Sequence, residues 1–202
     1  GSGYADRSME KGYGVMSLVE EGHRASQTDL ARHRQEAWER QSAYVASRSA
    51  FYQGLWGGMK PPGRLEDLPE LPLSDKSGLR VSQPLHPPFG DYLAASPDQI
   101  SRMHRTSGTT GQAMNLAMSA RDCEITEIVG ARAQGLAGLG PGITVVHCLN
   151  YQMWMGGLTD HMTLERTGAT VVPFGVGATE LLVRTIQEVG ITAISCTPSY
   201  PS

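Results

Sequence analysis

The sequence predicts an α/β fold: a parallel βαβαβ sheet with covering helices, preceded by a long N-terminal helix. Three observations predict it. Apolar, β-branched runs ITVVHC (143–148), ATVVPF (169–174) and ITAISC (191–196) follow one another after Gly140-Pro141-Gly142. Runs of that kind suit strands buried on both faces of a parallel sheet. Between them lie helix-length segments near Gly157–Thr167 and Thr179–Val189, with Gly168 and Gly190 where helix C-termini belong. Ahead of all this, Leu30, Ala37, Trp38, Tyr44, Val45, Phe51, Tyr52, Leu55 and Trp56 recur near a 3.6-residue period.

In chain order, residues 1–27 carry no apolar signal core and read as a cloning scar with a loose terminus, outside the fold. Residues 28–97 read as one region, a helix followed by a wrapping segment. Thr28 or Ser26 can cap the helix, and Gly57-Gly58 ends it. From Lys60 to Pro97 lie eight of the twelve prolines, which predicts irregular chain with at most short helical turns, one of them starting at Ser74-Asp75. Residues 98–202 form the α/β part. It opens with two short extended runs, Ile100–Arg105 and Ala113–Met118, joined as a hairpin. Ser119 then caps a helix with Asp122 and Glu124 in its first turns and Ile125, Ile128, Val129 and Leu136 on one face. The sequence stops six residues after its last strand run, which predicts an open apolar edge and a piece of something larger.

Composition removes several classes. Net charge is −3 and the pI about 6.1, so no basic field attracts nucleic acid. No apolar run reaches the roughly 20 residues of a membrane span. Cys123, Cys148 and Cys196 are odd in number and far apart, which fits neither a disulfide framework nor a CxxC zinc site and suits a reducing, cytoplasmic setting. His147 and His161, the latter beside Asp160, lack HxxxH or HExxH spacing and read as core or helix-surface residues. Ser101, Ser107 and Ser199 lack a GxSxG elbow, so a hydrolase triad has no support.

The hairpin connection, HRTSGTTGQAM (104–114), is the chemically informative stretch. Six of its eleven residues are Gly, Ser or Thr. It matches neither GxxxxGK[ST] nor GxGxxG. Glycines still allow close backbone approach to anionic oxygens, successive N–H groups can form an anion nest, and hydroxyls add donors. A solvated turn-rich tip is the alternative.

TSGTTGQ closely resembles the phosphate loop of the adenylate-forming enzymes, the acyl-CoA synthetase superfamily, and most nearly the phenylacetate–CoA ligase-like branch, where it typically reads SSGTTGKP. FYQGLW (51–56), LEDLPELPLSDKSGLR (65–80), Gly156-Gly157, LERTGATVVP (164–173) and CTPSY (196–200) resemble that branch in the same order. The resemblance runs from about residue 35 to the last residue and implies the N-terminal portion of such an enzyme, with residues 98–202 the first part of its ATP- and acyl-binding domain.

On that resemblance Thr106, Ser107, Gly108, Thr109, Thr110, Gly111 and Gln112 hold the ATP phosphates, with Mg2+ sharing the charge. A carboxylic acid becomes acyl-AMP, and the thiol of coenzyme A displaces AMP. Gln112 stands where the family has Lys, and Ala113 where it has Pro, so the loop lacks a cation. Tyr151 and Trp154, with Gly156 and Gly157, match the acyl-pocket segment YGLFTGG. There Gln152 replaces a glycine and Met155 a threonine, and Met153, Trp154 and Met155 suggest a flat slot for an aryl or short acyl group. Ser199 and Tyr200 are second candidates; core side chains at a helix start are the alternative. The family's adenine loop, Mg2+-binding Glu, ribose-binding Asp and C-terminal lid have no counterpart in the sequence, which predicts an inactive fragment of an active parent. A carrier protein in place of coenzyme A, a complementary C-terminal chain and a homodimer are the remaining candidate partners. A non-catalytic nucleotide-binding scaffold is the rival function.

Overall fold

The computed structural model describes residues 24–108 and 113–198. They fall into two compact units, one of residues 25–120, the other of Arg24 with the residues from 121 on.

The first unit begins with α1 (Gln27–Arg48), capped by Ser26, whose hydroxyl accepts the Asp29 N–H at 3.0 Å. The predicted single helix is in fact two. Ser49 takes an extended conformation (φ −99°, ψ 110°), ends α1, and starts α2 (Ala50–Leu55). Its fully buried hydroxyl donates to Tyr92 O at 2.9 Å and accepts from Tyr52 N–H at 3.4 Å. Serine competes well for backbone partners outside a helix, which is why the break falls here despite an unbroken apolar period.

The Pro-rich segment is anchored to α1 by side chains. Trp38 Nε1 donates to Pro62 O at 2.9 Å, and Gln35 both donates to Gly63 O and accepts from Leu65 N–H. A 3-10 turn covers Leu65–Glu70. Asp75 then caps α3 (Lys76–Leu85), where its carboxylate accepts Gly78 N–H at 2.9 Å. At ten residues α3 exceeds the short turn predicted. Pro84 sits in its final turn, so the ring does not prevent the earlier turns from forming.

The hairpin follows as predicted. Strands β1 (Ile100–Arg105) and β2 (Asn115–Ser119) pair antiparallel, from Arg102 opposite Met118 to Arg105 opposite Asn115, with a register shift between Ile100 and Arg102. Residues 106–108 and 113–114 continue the hairpin from its Arg105/Asn115 end.

In the second unit α4 (Ala120–Leu136) leads to β3 (Thr144–His147), α5 (Met155–Arg166), β4 (Thr170–Pro173), α6 (Thr179–Val189) and β5 (Ala193–Ser195). The strands are parallel in the order β4-β3-β5, so β3 is central. Alternation along β3 sends Val145 and Val146 to opposite faces. Val145 packs with Leu164 of α5 and Ala169; Val146 packs with Cys148 and Leu182 of α6. The sheet therefore has a helix on each face, the predicted architecture. A Cβ on Gly130 would lie 2.2 Å from Thr163 Cγ2, so α4 and α5 meet at a point where only glycine fits. Among the described residues no helix is long and apolar enough to cross a membrane.

Candidate functional site

Each unit carries one group of the predicted site residues. In the first, the stem of the Ser/Thr/Gly loop is closed by a reciprocal pair. Thr106 N–H donates to Met114 O, and Met114 N–H donates to Thr106 Oγ1, both at 2.9 Å. Thr106 Oγ1 thus holds the stem as an acceptor, and accepting leaves the hydroxyl's own proton uncommitted by this bond. Ser107 is exposed, and Gly108 has φ +67°, the left-handed region that glycine enters without penalty. Thr109, Thr110, Gly111 and Gln112 lie outside the described residues.

Behind the stem stands a polar brace that the sequence did not reveal. The Gln83 side chain accepts Asn115 N–H at 3.0 Å and donates to Asn115 O at 2.6 Å, pairing with β2 as another strand would. Tyr92 Oη accepts from Gln83 Nε2 at 2.8 Å and donates to Asn115 O at 2.7 Å, while Asn115 Nδ2 donates to Pro88 O at 2.8 Å. Burial pushes the Tyr92 phenol above its ordinary pKa, so it stays a donor. These partners are 9 to 32 residues apart in sequence, and no local pattern signals them.

In the second unit Tyr151, Trp154, Gly156 and Gly157 gather where β3 runs into α5, at the carboxyl ends of the parallel strands, where open α/β sheets bind ligands. Gly157 has no room for a side chain: a Cβ would lie 2.1 Å from Asn150 O. Trp154 is the N-cap residue of α5, 41% exposed, with its ring over Gly156, and Met153 before it is 46% exposed with φ +52°, a costly conformation for a non-glycine. Ser199 and Tyr200 lie outside the described residues.

Two histidines build this corner. His147, with no exposed surface, has Nε2 2.9 Å from Gly157 O and Nδ1 3.0 Å from Ser195 Oγ. A carbonyl only accepts, so Nε2 carries the proton and Nδ1 accepts from the serine hydroxyl. Burial lowers the His147 pKa, which keeps the ring neutral. Tyr151 Oη lies 2.9 Å from His161 Nδ1, and His161 Nε2 lies 3.1 Å from Glu165 Oε1. By the same reasoning Glu165 fixes the proton on Nε2, and Tyr151 donates to Nδ1 when the ring is neutral. Burial pushes the Tyr151 phenol up to about 12 and also raises the Cys148 thiol and the Asp160 carboxyl. The histidines are therefore fasteners of Tyr151 and of the α5 N-terminus. The i,i+4 spacing of His161 and Glu165 was the one available signal. Among the described residues no group of three or more His, Cys, Asp or Glu is placed to hold a metal ion.

A hairpin bearing TSGTTGQ and a parallel sheet with its loops at the strand ends define the class: the chain has the fold of an adenylate-forming protein. It is 26% identical to a 2-hydroxyisobutyryl-CoA ligase solved in an open conformation with 2-HIB-AMP and CoA, at a TM-score of 0.76 over 86% of this chain and 38% of that one. The same ligase in its thioesterification state gives 28% identity and a TM-score of 0.71, over 80% and 35%. Within that class the chain belongs to the phenylacetate–CoA ligase-like branch, as part of its N-terminal portion. It is 38% identical over 170 residues to the phenylacetate-coenzyme A ligase of Thermus thermophilus, covering 82% of this chain, and 33% identical over 136 residues to that of Escherichia coli, covering 67%. The chain spans about a third of the length of these relatives, 37% and 30% respectively. No family model matches it.

Proposed function

We propose that the parent protein is an ATP-dependent acid–thiol ligase that activates an aryl or short acyl carboxylic acid as acyl-AMP and passes the acyl group to coenzyme A. The observation that carries this reading is the sequence TSGTTGQ on a hairpin whose stem is clamped by Thr106 and Met114 and braced by Gln83 and Tyr92. The clamp and brace engage the N–H groups of Thr106, Met114 and Asn115, and the glycine-rich sequence between Thr106 and Met114 is of the kind whose N–H groups suit phosphate oxygens. Thr106, Ser107, Gly108, Thr109, Thr110, Gly111 and Gln112 are the proposed ATP loop. Mg2+ would share the phosphate charge there, and no described cluster supplies it with protein ligands. Tyr151, Trp154, Gly156, Gly157, Ser199 and Tyr200 are the proposed acyl pocket. The raised pKa of Tyr151 supports an uncharged phenol beside the acid, held in place by His161, and exposed Trp154 supports an aromatic contact. The free thiols of Cys123, Cys148 and Cys196 favour the cytoplasm as its setting.

Carboxylate-dependent exchange of pyrophosphate into ATP by the complete protein, with phenylacetate and short acyl acids as candidates, tests this reading. Exchange is expected with at least one acid. Its absence with all of them, alongside calorimetric binding of ATP, would instead establish the scaffold that neutral Gln112 favours. Thiol-acceptor assays separate coenzyme A from a carrier protein. The 202-residue chain alone is expected to give no exchange. Gln112→Lys is expected to tighten ATP binding by roughly threefold to tenfold, because a charge-assisted bond to phosphate replaces a neutral one; an equal or weaker affinity argues against this placement of the loop.

A further inference from the structure

Residues 106–114 contain no Lys or Arg, so a loop that holds a polyphosphate has to draw positive charge from elsewhere. The first unit offers a source. An open pocket of about 220 Å3 lies against the stem, lined by Arg80 of α3 and Arg105 of β1 together with Gln83, Pro88, Met114 and Asn115. Arg80 and Arg105 both line it, and among the described residues no Asp or Glu does. Its remaining wall is largely proline and methionine, which leaves few competing acceptors and strengthens a charge interaction. Arg105 is the residue immediately before the Thr106 clamp, and Met114 closes that clamp from the other side, so the pocket shares its wall with the loop's base. Gln83 and Asn115 are both committed to the brace, which fixes the floor while the exposed Arg105 remains at the rim.

We propose that Arg80 and Arg105 form a phosphoryl-anion subsite at the hairpin stem, supplying the positive charge that the loop sequence lacks. The subsite rests on the reading of the loop as a nucleotide-phosphate site. Planar guanidinium groups pair two donors with two oxygens of one phosphoryl group, and two such groups from different elements suit a doubly charged terminal phosphate. The phosphoryl group comes either from the polyphosphate tail of the nucleotide or from a phosphate-bearing thiol.

The test is calorimetric titration of the 202-residue chain with inorganic pyrophosphate and, separately, with adenosine 3′,5′-bisphosphate, at low and high salt. The wild-type chain, Arg105→Ala, Arg105→Lys, Arg80→Ala and, as the loop probe, Ser107→Ala are compared, with circular dichroism melts to establish folding. Arg105→Ala is expected to weaken pyrophosphate binding about tenfold or more and to flatten its salt dependence, while Arg105→Lys retains most of both. If the bisphosphate and not pyrophosphate loses affinity, the subsite stands and its ligand is the phosphate-bearing thiol. Unchanged affinity for both anions in Arg105→Ala and Arg80→Ala overturns the proposal. When Ser107→Ala nevertheless weakens pyrophosphate, the loop reading survives that result; when no variant has an effect, or the wild-type chain binds neither anion, both readings fail.

Discussion

Gly157 and His147 show how single residues set the corner at the end of β3. Gly157→Ala would place a methyl 2.1 Å from Asn150 O, against backbone that has nowhere to retreat. It is predicted to cost roughly 1–3 kcal/mol in urea unfolding and to displace Tyr151. His147 makes a pH prediction. Burial lowers its folded-state pKa below the ordinary 6.5, so in the window below about 6.5 the unfolded chain binds a proton that the folded chain does not. Stability therefore falls as pH drops through that window, by up to about 1.4 kcal/mol per pH unit from this residue. In His147→Gln the fall between about pH 7 and 5 should be shallower, read from urea midpoints; parallel curves would show that this ring does not titrate on unfolding.

At the scale of elements, the hairpin depends on residues far from it in sequence. Gln83 of α3 bonds both backbone groups of Asn115, so α3 works as a short extension of the ladder that pins where β2 begins. Gln83→Met keeps the volume and removes both bonds, leaving the Asn115 N–H without this partner and its carbonyl with Tyr92 alone, at a cost of roughly 1–3 kcal/mol. Hydrogen exchange at the Asn115 amide should accelerate in this variant while amides of β3 stay protected. A uniform change across both would show that the brace is not local. Ser49 illustrates a related economy, since one buried hydroxyl ends α1, starts α2 and fastens Tyr92, which itself belongs to the brace.

For the whole molecule, the three parallel strands were legible because β-branched runs have few other uses. The sequence overran their ends because Ile143 and Cys148 are core residues lying just past the β3 ladder. The break at Ser49 was not legible, since the apolar period continues across it. The brace and the His147–Ser195 contact were not legible either, because they join polar residues 9 to 48 positions apart. Tyr151 and the two glycines of the pocket were visible through resemblance, their fastening by His161 and Glu165 through structure alone. The second unit leaves apolar surface in the open: Leu181, Val183 and Val189 of α6 and Ile194 of β5 are all about half exposed. Exposed apolar patches and free strand edges favour association. The isolated chain is predicted to scatter light increasingly with concentration, and Ile194→Lys to suppress this; equal scattering by both would place the sticky surface elsewhere.

The clamp between Thr106 and Met114 has a practical meaning. Since the strands are fastened just below the tip, the seven residues between those two positions form an exchangeable cartridge. A protein engineer can swap in a different binding sequence there and expect the barrel of the tool to stay aligned.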